Sequence, residues 1–267
     1  MIEPPELHTV RVGASGAVGE LLLDRPGKLN ALSRELLGEL VEAAGWFDAQ
    51  PELKAVVVRG AGNAFSAGAD LSAFGSADEA SGGAAAARRA FDLGRRATDA
   101  LAGMRAVTVA AIHGHCVGGA LLIAAACDIR IAAAGATFSI PEVDIGIPLA
   151  WGGIPRLVRE LGPTVTKDLV LTCRPFDAEE AARLRFVSRL VPREELEREA
   201  RAVAEKLAGQ PAYALRVTKQ HVDAVAEESG STAQGYRDAD TLLAAVSDEE
   251  SLEAMARYLQ ARRRSPA

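Results

Sequence analysis

The sequence predicts an α/β fold that ends in a helical region, and three observations carry that expectation. The first sixty residues alternate as strand, strand, helix, strand. Val107–Ile112 is a short apolar, β-branched run, followed by Gly114, Gly118 and Gly119 and then by the small, apolar run Ala120–Ala126. From Ala178 onward the apolar residues recur almost only at helical spacing. At 267 residues the chain holds one sizeable domain, or one domain with a helical extension.

In order, Leu7–Val12 and Val18–Leu23 read as two strands joined by a turn at Gly13–Gly16. Asp24-Arg25-Pro26-Gly27 breaks the pattern. Ser33 is a candidate N-cap for a helix whose apolar face carries Leu36, Leu37, Leu40, Val41, Ala44 and Phe47. Ala55–Val58 is a fully apolar strand. Small residues crowd Ala61–Leu71 behind it, where little side chain separates the backbone from a ligand, and Asp70 reads as a helix N-cap. Ser72 to Ala87, rich in Ala, Gly and Ser, reads as a loop of the kind that forms mobile walls, and Arg88–Gly103 as a helix.

The stretch Val107–Asp128 organises the rest. A strand, a glycine turn and a helix with no polar face place a helix start inside the protein. Its first N–H groups have no partner within the helix, and they can hold an oxyanion. The same glycines also fit tight packing alone. Ile129–Ala132 and Ala136–Ser139 read as short strands, and Ile140–Pro148 follows with Glu142 and Asp144 among apolar residues and prolines. A carboxylate buried there titrates near neutrality, which suits proton transfer; each also fits a role capping backbone N–H groups. If the segment is strand-like, Asp144 points the same way as Glu142. Helices are expected over Ile154–Leu161 and Thr164–Thr172, a short one over Ala178–Leu184, and a small strand over Ser188–Val191. Four more helices are expected over Glu194–Ala208, Ala212–Glu228, Thr232–Val246 and Asp248–Arg264.

Composition narrows the function. The chain is 49% hydrophobic and 25% charged, with a net charge of −6 and no basic patch interleaved with aromatics, which argues against nucleic acid as a partner. The apolar run at Ala120–Ala126 is too short to span a bilayer, and MIEPPELHTV lacks the pattern of a signal peptide, so no membrane partner is expected. Cys116, Cys127 and Cys173 form no CxxC pair; a reducing cytoplasm fits. No His, Asp or Glu group has metal-ligand spacing, and no GxGxxG follows a strand, so neither a metal nor a nucleotide cofactor is expected. His113 fits a structural role beside the turn better than an acid/base role.

Five stretches in order resemble the crotonase, or enoyl-CoA hydratase/isomerase, superfamily: DRPGKLNAL (Asp24–Leu32), AFSAGADL (Ala64–Leu71), Ile112–Asp128 with the CDIRIA that completes it, PEVDIGIP (Pro141–Pro148) and EAMARYLQAR (Glu253–Arg262). The resemblance implies a spiral of ββα turns over residues 1–195, with the acyl-CoA site, and a C-terminal helical trimerisation region over 196–267. It also implies a homotrimer or homohexamer. The substrate would be a coenzyme A thioester, with no further cofactor. Its thioester oxygen would sit between the N–H groups of Ala69 and Gly119. The backbone of Ala67, Gly68, Asp70 and Leu71 would receive adenine and pantetheine. Arg25 and Lys28 lie where the family often contacts CoA phosphates, although they also fit plain solvated charges. Tyr258 and Arg262 match an aromatic and a cation that line the CoA site, in some members across a subunit boundary.

One position departs from the family's hydratases. They use two glutamates to add water to a 2-enoyl-CoA. The second is present as Glu142, but Leu122 stands where the first belongs. A single glutamate can still take a proton from C2 and return it to C4, which converts a 3-enoyl-CoA into a 2-enoyl-CoA without water. The expected function is therefore a one-base isomerase. The alternatives are a hydratase of reduced activity, a hydrolase or lyase on another acyl-CoA, and a CoA-ester binding protein without turnover.

Overall fold

The structure, a computed structural model, describes residues 2–71 and 83–264. Strands β1 (Val10–Ser15) and β2 (Val18–Leu23) form a hairpin, followed by α1 (Arg34–Asp48), β3 (Ala55–Gly60) and α2 (Gly83–Ala102). Next come β4 (Val107–Ile112), β5 (His115–Val117), α3 (Gly119–Ala125), β6 (Ile129–Ala133), β7 (Thr137–Ser139) and the single turn α4 (Glu142–Ile145). The chain continues through α5 (Gly153–Thr172), β8 (Phe176–Asp177), α6 (Ala178–Arg183) and β9 (Arg189–Val191). It ends in α7 (Leu196–Ala208), α8 (Ala212–Ser229), α9 (Asp238–Ala245) and α10 (Glu249–Arg264).

Six strands make one sheet in the order β1-β2-β3-β4-β6-β9, parallel except for the β1–β2 hairpin; β5, β7 and β8 make a second. Every residue of β4 is buried, as a central parallel strand covered on both faces requires. Ala110 and Ile112 join the larger core beneath α1 and α3, whereas Val109 and Ala111 pack with Leu196, Ala200 and Val203 of α7. Asp128, just past α3, binds back to the start of β4. It accepts from Thr108 N at 2.7 Å and Thr108 Oγ1 at 2.8 Å, and Lys219 of α8 reaches it at 2.8 Å.

Several expectations shift. The first strand begins at Val10 rather than Leu7, and the hairpin turns at Gly16-Ala17 rather than over Gly13–Gly16. Of the expected loop Ser72–Ala87, residues 72–82 lie outside the described residues, but Gly83–Ala87 is the first part of α2. Four consecutive alanines there favour helix more strongly than the preceding glycines oppose it. The two helices on either side of Gly162-Pro163 run as one element with a break at Gly162 (φ 78°, ψ 162°). Ser33 does cap α1, its Oγ accepting from Leu36 N at 3.2 Å.

Glu39 lies on the buried side of α1. It accepts from His8 N, Thr9 N, Thr9 Oγ1 and Val10 N at 2.6–3.0 Å, tying the chain leading into β1 to the helix. Burial alone raises its pKa, but the Thr9 hydroxyl and the three N–H groups outweigh burial and hold it below its usual value. A depressed carboxylate contributes stability above its ordinary pKa and loses it as pH falls through the lowered one. Glu39→Gln, which turns an amide NH2 toward N–H donors, should cost about 2 kcal/mol or more at pH 7 and less at pH 4, read from urea unfolding.

Candidate active site

Two chain segments run side by side to form the site. Phe65 N donates to His113 O at 2.7 Å, Ser66 N to His115 O at 3.0 Å, and Val117 N to Ser66 O at 3.2 Å, with Ser66 and Cys116 paired in a parallel bridge. Three residues beyond that pair, on each segment, stand Ala69 and Gly119. Each follows a glycine in the left-handed region, Gly68 at φ 86° and Gly118 at φ 53°. Such dihedrals swing the next N–H out of the local ladder, and only glycine adopts them freely. The space also demands glycine, because a Cβ on Gly68 would lie 2.5 Å from Val117 O. Among the described residues, neither Ala69 N–H nor Gly119 N–H donates to an internal acceptor, and both residues line one cavity.

The buried start of α3 is as the sequence predicts. Gly119–Ala125 are all buried, and Leu122 is 2% exposed. Leu122 lines the same cavity and packs toward Gly153. Glu142 lines the cavity as well. A Cβ on Gly118 would stand 2.5 Å from Glu142 Oε1, and Glu142 Oε2 is buried with no partner among the described residues. Burial pushes its pKa up to about 7. Ten described residues line the cavity, and Glu142 is the one ionisable group among them.

Asp144 does not share that face. Pro141–Ile145 forms a helical turn rather than a strand, with Ile145 N bonded to Pro141 O at 3.0 Å. Two residues along a helix are about 200° apart, so Asp144 is exposed while Glu142 faces inward. His113 is buried, its Nε2 3.0 Å from Gly62 O, and burial lowers its pKa; it does not line the cavity. Cys127 is a buried filler whose thiol is pushed up to about 12 by burial.

The expected CoA residues divide. Ala67 donates its N–H to Leu29 O at 2.8 Å, and Asp70 N donates to Leu32 O at 3.1 Å, which fixes this backbone beside the cavity. Arg25 is held internally, its Nη1 donating to Ala31 O and pairing with Asp70 at 2.9 Å. Asp70 is thus a partner of Arg25. The helix start that it was expected to cap falls outside the described residues. Lys28 is exposed on the turn at Pro26–Lys28. Leu71 and Tyr258 pack around one small core with Ile145, Ile147 and Trp151. Arg262 lies on α10, its side chain outside the described residues. This core places α10 against α4 within one chain, where a Cβ on Gly146 would meet Ser251 O at 2.4 Å.

Sequence reasoning missed two residues. Asn30, fully buried at φ 55°, donates from Nδ2 to Ala61 O and Ala64 O at 2.8 Å and accepts from Arg25 N at 2.9 Å. It pins the turn that carries Ala69. Trp151 (φ 59°) forms one wall of the cavity. Its carbonyl accepts from Thr98 Oγ1 and Arg156 Nη1, both at 3.1 Å, and the next N–H, of Gly152, donates to Asp238 at 2.7 Å. Asn30 belonged to a motif read as a whole. Trp151 sat in a glycine turn and gave no signal of its own.

Two free N–H donors beside one protonatable carboxylate can stabilise an oxyanion and move a proton on a neighbouring carbon. Each such donor contributes about 3–4 kcal/mol to a developing oxyanion in a dry site. The profile of the enoyl-CoA hydratase/isomerase family matches residues 13–265. The chain is 36% identical over 256 residues, 96% of each chain, to a Mycobacterium bovis protein named as a probable enoyl-CoA hydratase. It is 33% identical over 221 residues, 80% of each chain, to a peroxisomal Δ(3,5)-Δ(2,4)-dienoyl-CoA isomerase of Arabidopsis thaliana. The crystal structure of an enoyl-CoA hydratase/isomerase from Xanthobacter autotrophicus superimposes with a TM-score of 0.86 at 28% identity, covering 97% of this chain and 94% of that one. Sequence match and fold coincide over nearly the whole length, and the chain belongs to the enoyl-CoA hydratase/isomerase family, the crotonase superfamily.

Proposed function

We propose that the chain is an acyl-CoA double-bond isomerase that converts a 3-enoyl-CoA into a 2-enoyl-CoA. The observation that carries the reading is that Glu142 is the one ionisable group among the described residues that line the cavity, with Leu122 lining it too. The Glu142 carboxylate takes a proton from C2, and the electron pair moves onto the thioester oxygen. The N–H groups of Ala69 and Gly119 hold that charge. The new carboxylic acid then delivers its proton to C4 as the charge returns, leaving the double bond at C2–C3 and the carboxylate regenerated. Nothing is consumed, so no further cofactor is needed. Hydration asks for a second group to hold and activate water, and Leu122 supplies none.

The chain acts on this substrate as a homotrimer or a pair of trimers, a reading supported by the exposed Tyr213, Val222 and Val225 on α8. A second reading, enoyl-CoA hydratase, is favoured by the name of the Mycobacterium bovis relative. Purified protein offered 3-hexenoyl-CoA and 2-hexenoyl-CoA separates the two. Turnover of the first with little hydration of the second is expected, and efficient hydration would sink the one-base reading. Leu122→Glu should then raise hydration of 2-hexenoyl-CoA toward the ~100-fold that one positioned acid/base supplies. A folded variant that gains nothing would show that Leu122 is not what disables water addition.

A further inference from the structure

We propose that Trp151 is the floor of the acyl pocket and confines the site to short acyl groups; the proposal rests on the isomerase reading only in taking an acyl-CoA as ligand. Consecutive glycines set the scale. A Cβ on Gly118 would meet the Glu142 carboxylate, and a Cβ on Gly119 would lie 2.2 Å from Trp151 Cζ3. Their Cα atoms are about 3.8 Å apart across a trans peptide. The base and the indole therefore stand one residue apart along the strip of backbone that holds the thioester oxygen. A chain that offers C2 and C4 to Glu142 meets the ring soon afterwards.

The ring has no room to swing aside. Gly94 of α2 backs it on another side, where a Cβ would lie 1.9 Å from Trp151 Cε2 and 2.3 Å from Nε1. Two helices thus present glycine to the same indole, and its backbone is held by Thr98, Arg156 and, through Gly152, Asp238. Leu122, Leu149 and Leu242 line the cavity with it. The cavity left among the described residues is about 30 Å³.

Calorimetric binding of two saturated ligands, butanoyl-CoA and decanoyl-CoA, tests this without relying on turnover. Wild type should bind butanoyl-CoA at least ten-fold more tightly than decanoyl-CoA. Trp151→Ala should reverse the preference, and Trp151→Phe, which keeps an aromatic packed between the glycines, should narrow it. The wild-type ratio stands as a test even if the alanine variant fails to fold by circular dichroism. Equal or tighter decanoyl-CoA binding by wild type would overturn the proposal, as would a folded Trp151→Ala protein with the wild-type ratio. Discrimination by length without turnover of 3-hexenoyl-CoA would keep the floor and sink the isomerase reading, and turnover without discrimination would do the reverse. Failure to bind either ligand would overturn both.

Discussion

Glu142→Gln should lower turnover of 3-hexenoyl-CoA by about 100- to 10,000-fold, the range supplied by one positioned acid/base. The same change should make the protein more stable above neutral pH. Burial raises the Glu142 pKa from 4.5 to about 7. A carboxyl group whose folded pKa is raised binds its proton more tightly in the folded state. Its contribution to stability is therefore full below the unfolded pKa and is lost as pH climbs from about 4.5 through about 7. At pH 8 the wild type carries an unpaired buried charge that costs up to about 3 kcal/mol, at 1.36 kcal/mol per pKa unit. Glutamine carries no charge at any pH. The variant should therefore unfold at higher urea than wild type at pH 8, with most of the gap gone at pH 5. In the wild type, kcat/KM should rise with pH and reach half its plateau near pH 7. Full activity in the variant would remove Glu142 from the chemistry. Identical unfolding curves at pH 8 would mean that its carboxylate finds water or a partner.

Asn30→Ala is expected to cost about 3 kcal/mol. The amide side chain answers Ala61 O, Ala64 O and Arg25 N, and truncation leaves these three backbone groups without it, at about 1 kcal/mol each. Alanine is also a poorer tenant than asparagine at φ 55°. Because the same bonds pin the turn leading to Ala69, turnover should fall along with stability. Urea unfolding and 3-hexenoyl-CoA kinetics on one preparation check both effects. A variant within 1 kcal/mol of wild type would show that water replaces the amide and that the turn holds itself.

The parts of the site visible in the sequence are those with local causes. Val107–Ala126 shows its apolar strand, its glycines and its buried helix within twenty residues, and the structure keeps that order. Leu122 and Glu142 were visible as residue types in recognisable motifs, and the cavity holds both. The shape of the segment carrying Glu142 was not visible. Four residues of helix between prolines and Gly146 are too few for any period to declare itself, so a strand-like reading competed and sent Asp144 the wrong way. Gly83–Ala87 was misread because glycine and serine outweighed a run of alanine. Trp151 was illegible for a different reason. Its placement depends on Gly94 and Gly119, far away in the chain, and each looks ordinary until the three are brought together.

The contact of α9 and α10 with the walls of the site sets an order of events during synthesis. Asp238 holds Gly152, Leu242 lines the cavity, and Ser251 seats against Gly146, just past α4 and Glu142. The six-stranded sheet joins mostly strands that follow one another in the chain, so it can begin to assemble while the ribosome is still working. The cavity cannot close at that stage, because Asp238 and Leu242 have not yet emerged. A nascent or proteolytically clipped chain that stops before Asp238 would carry the paired N–H donors and the glutamate in a half-built, water-filled cleft. Closure of the cavity is thereby tied to a stretch that follows the whole six-stranded sheet in the chain.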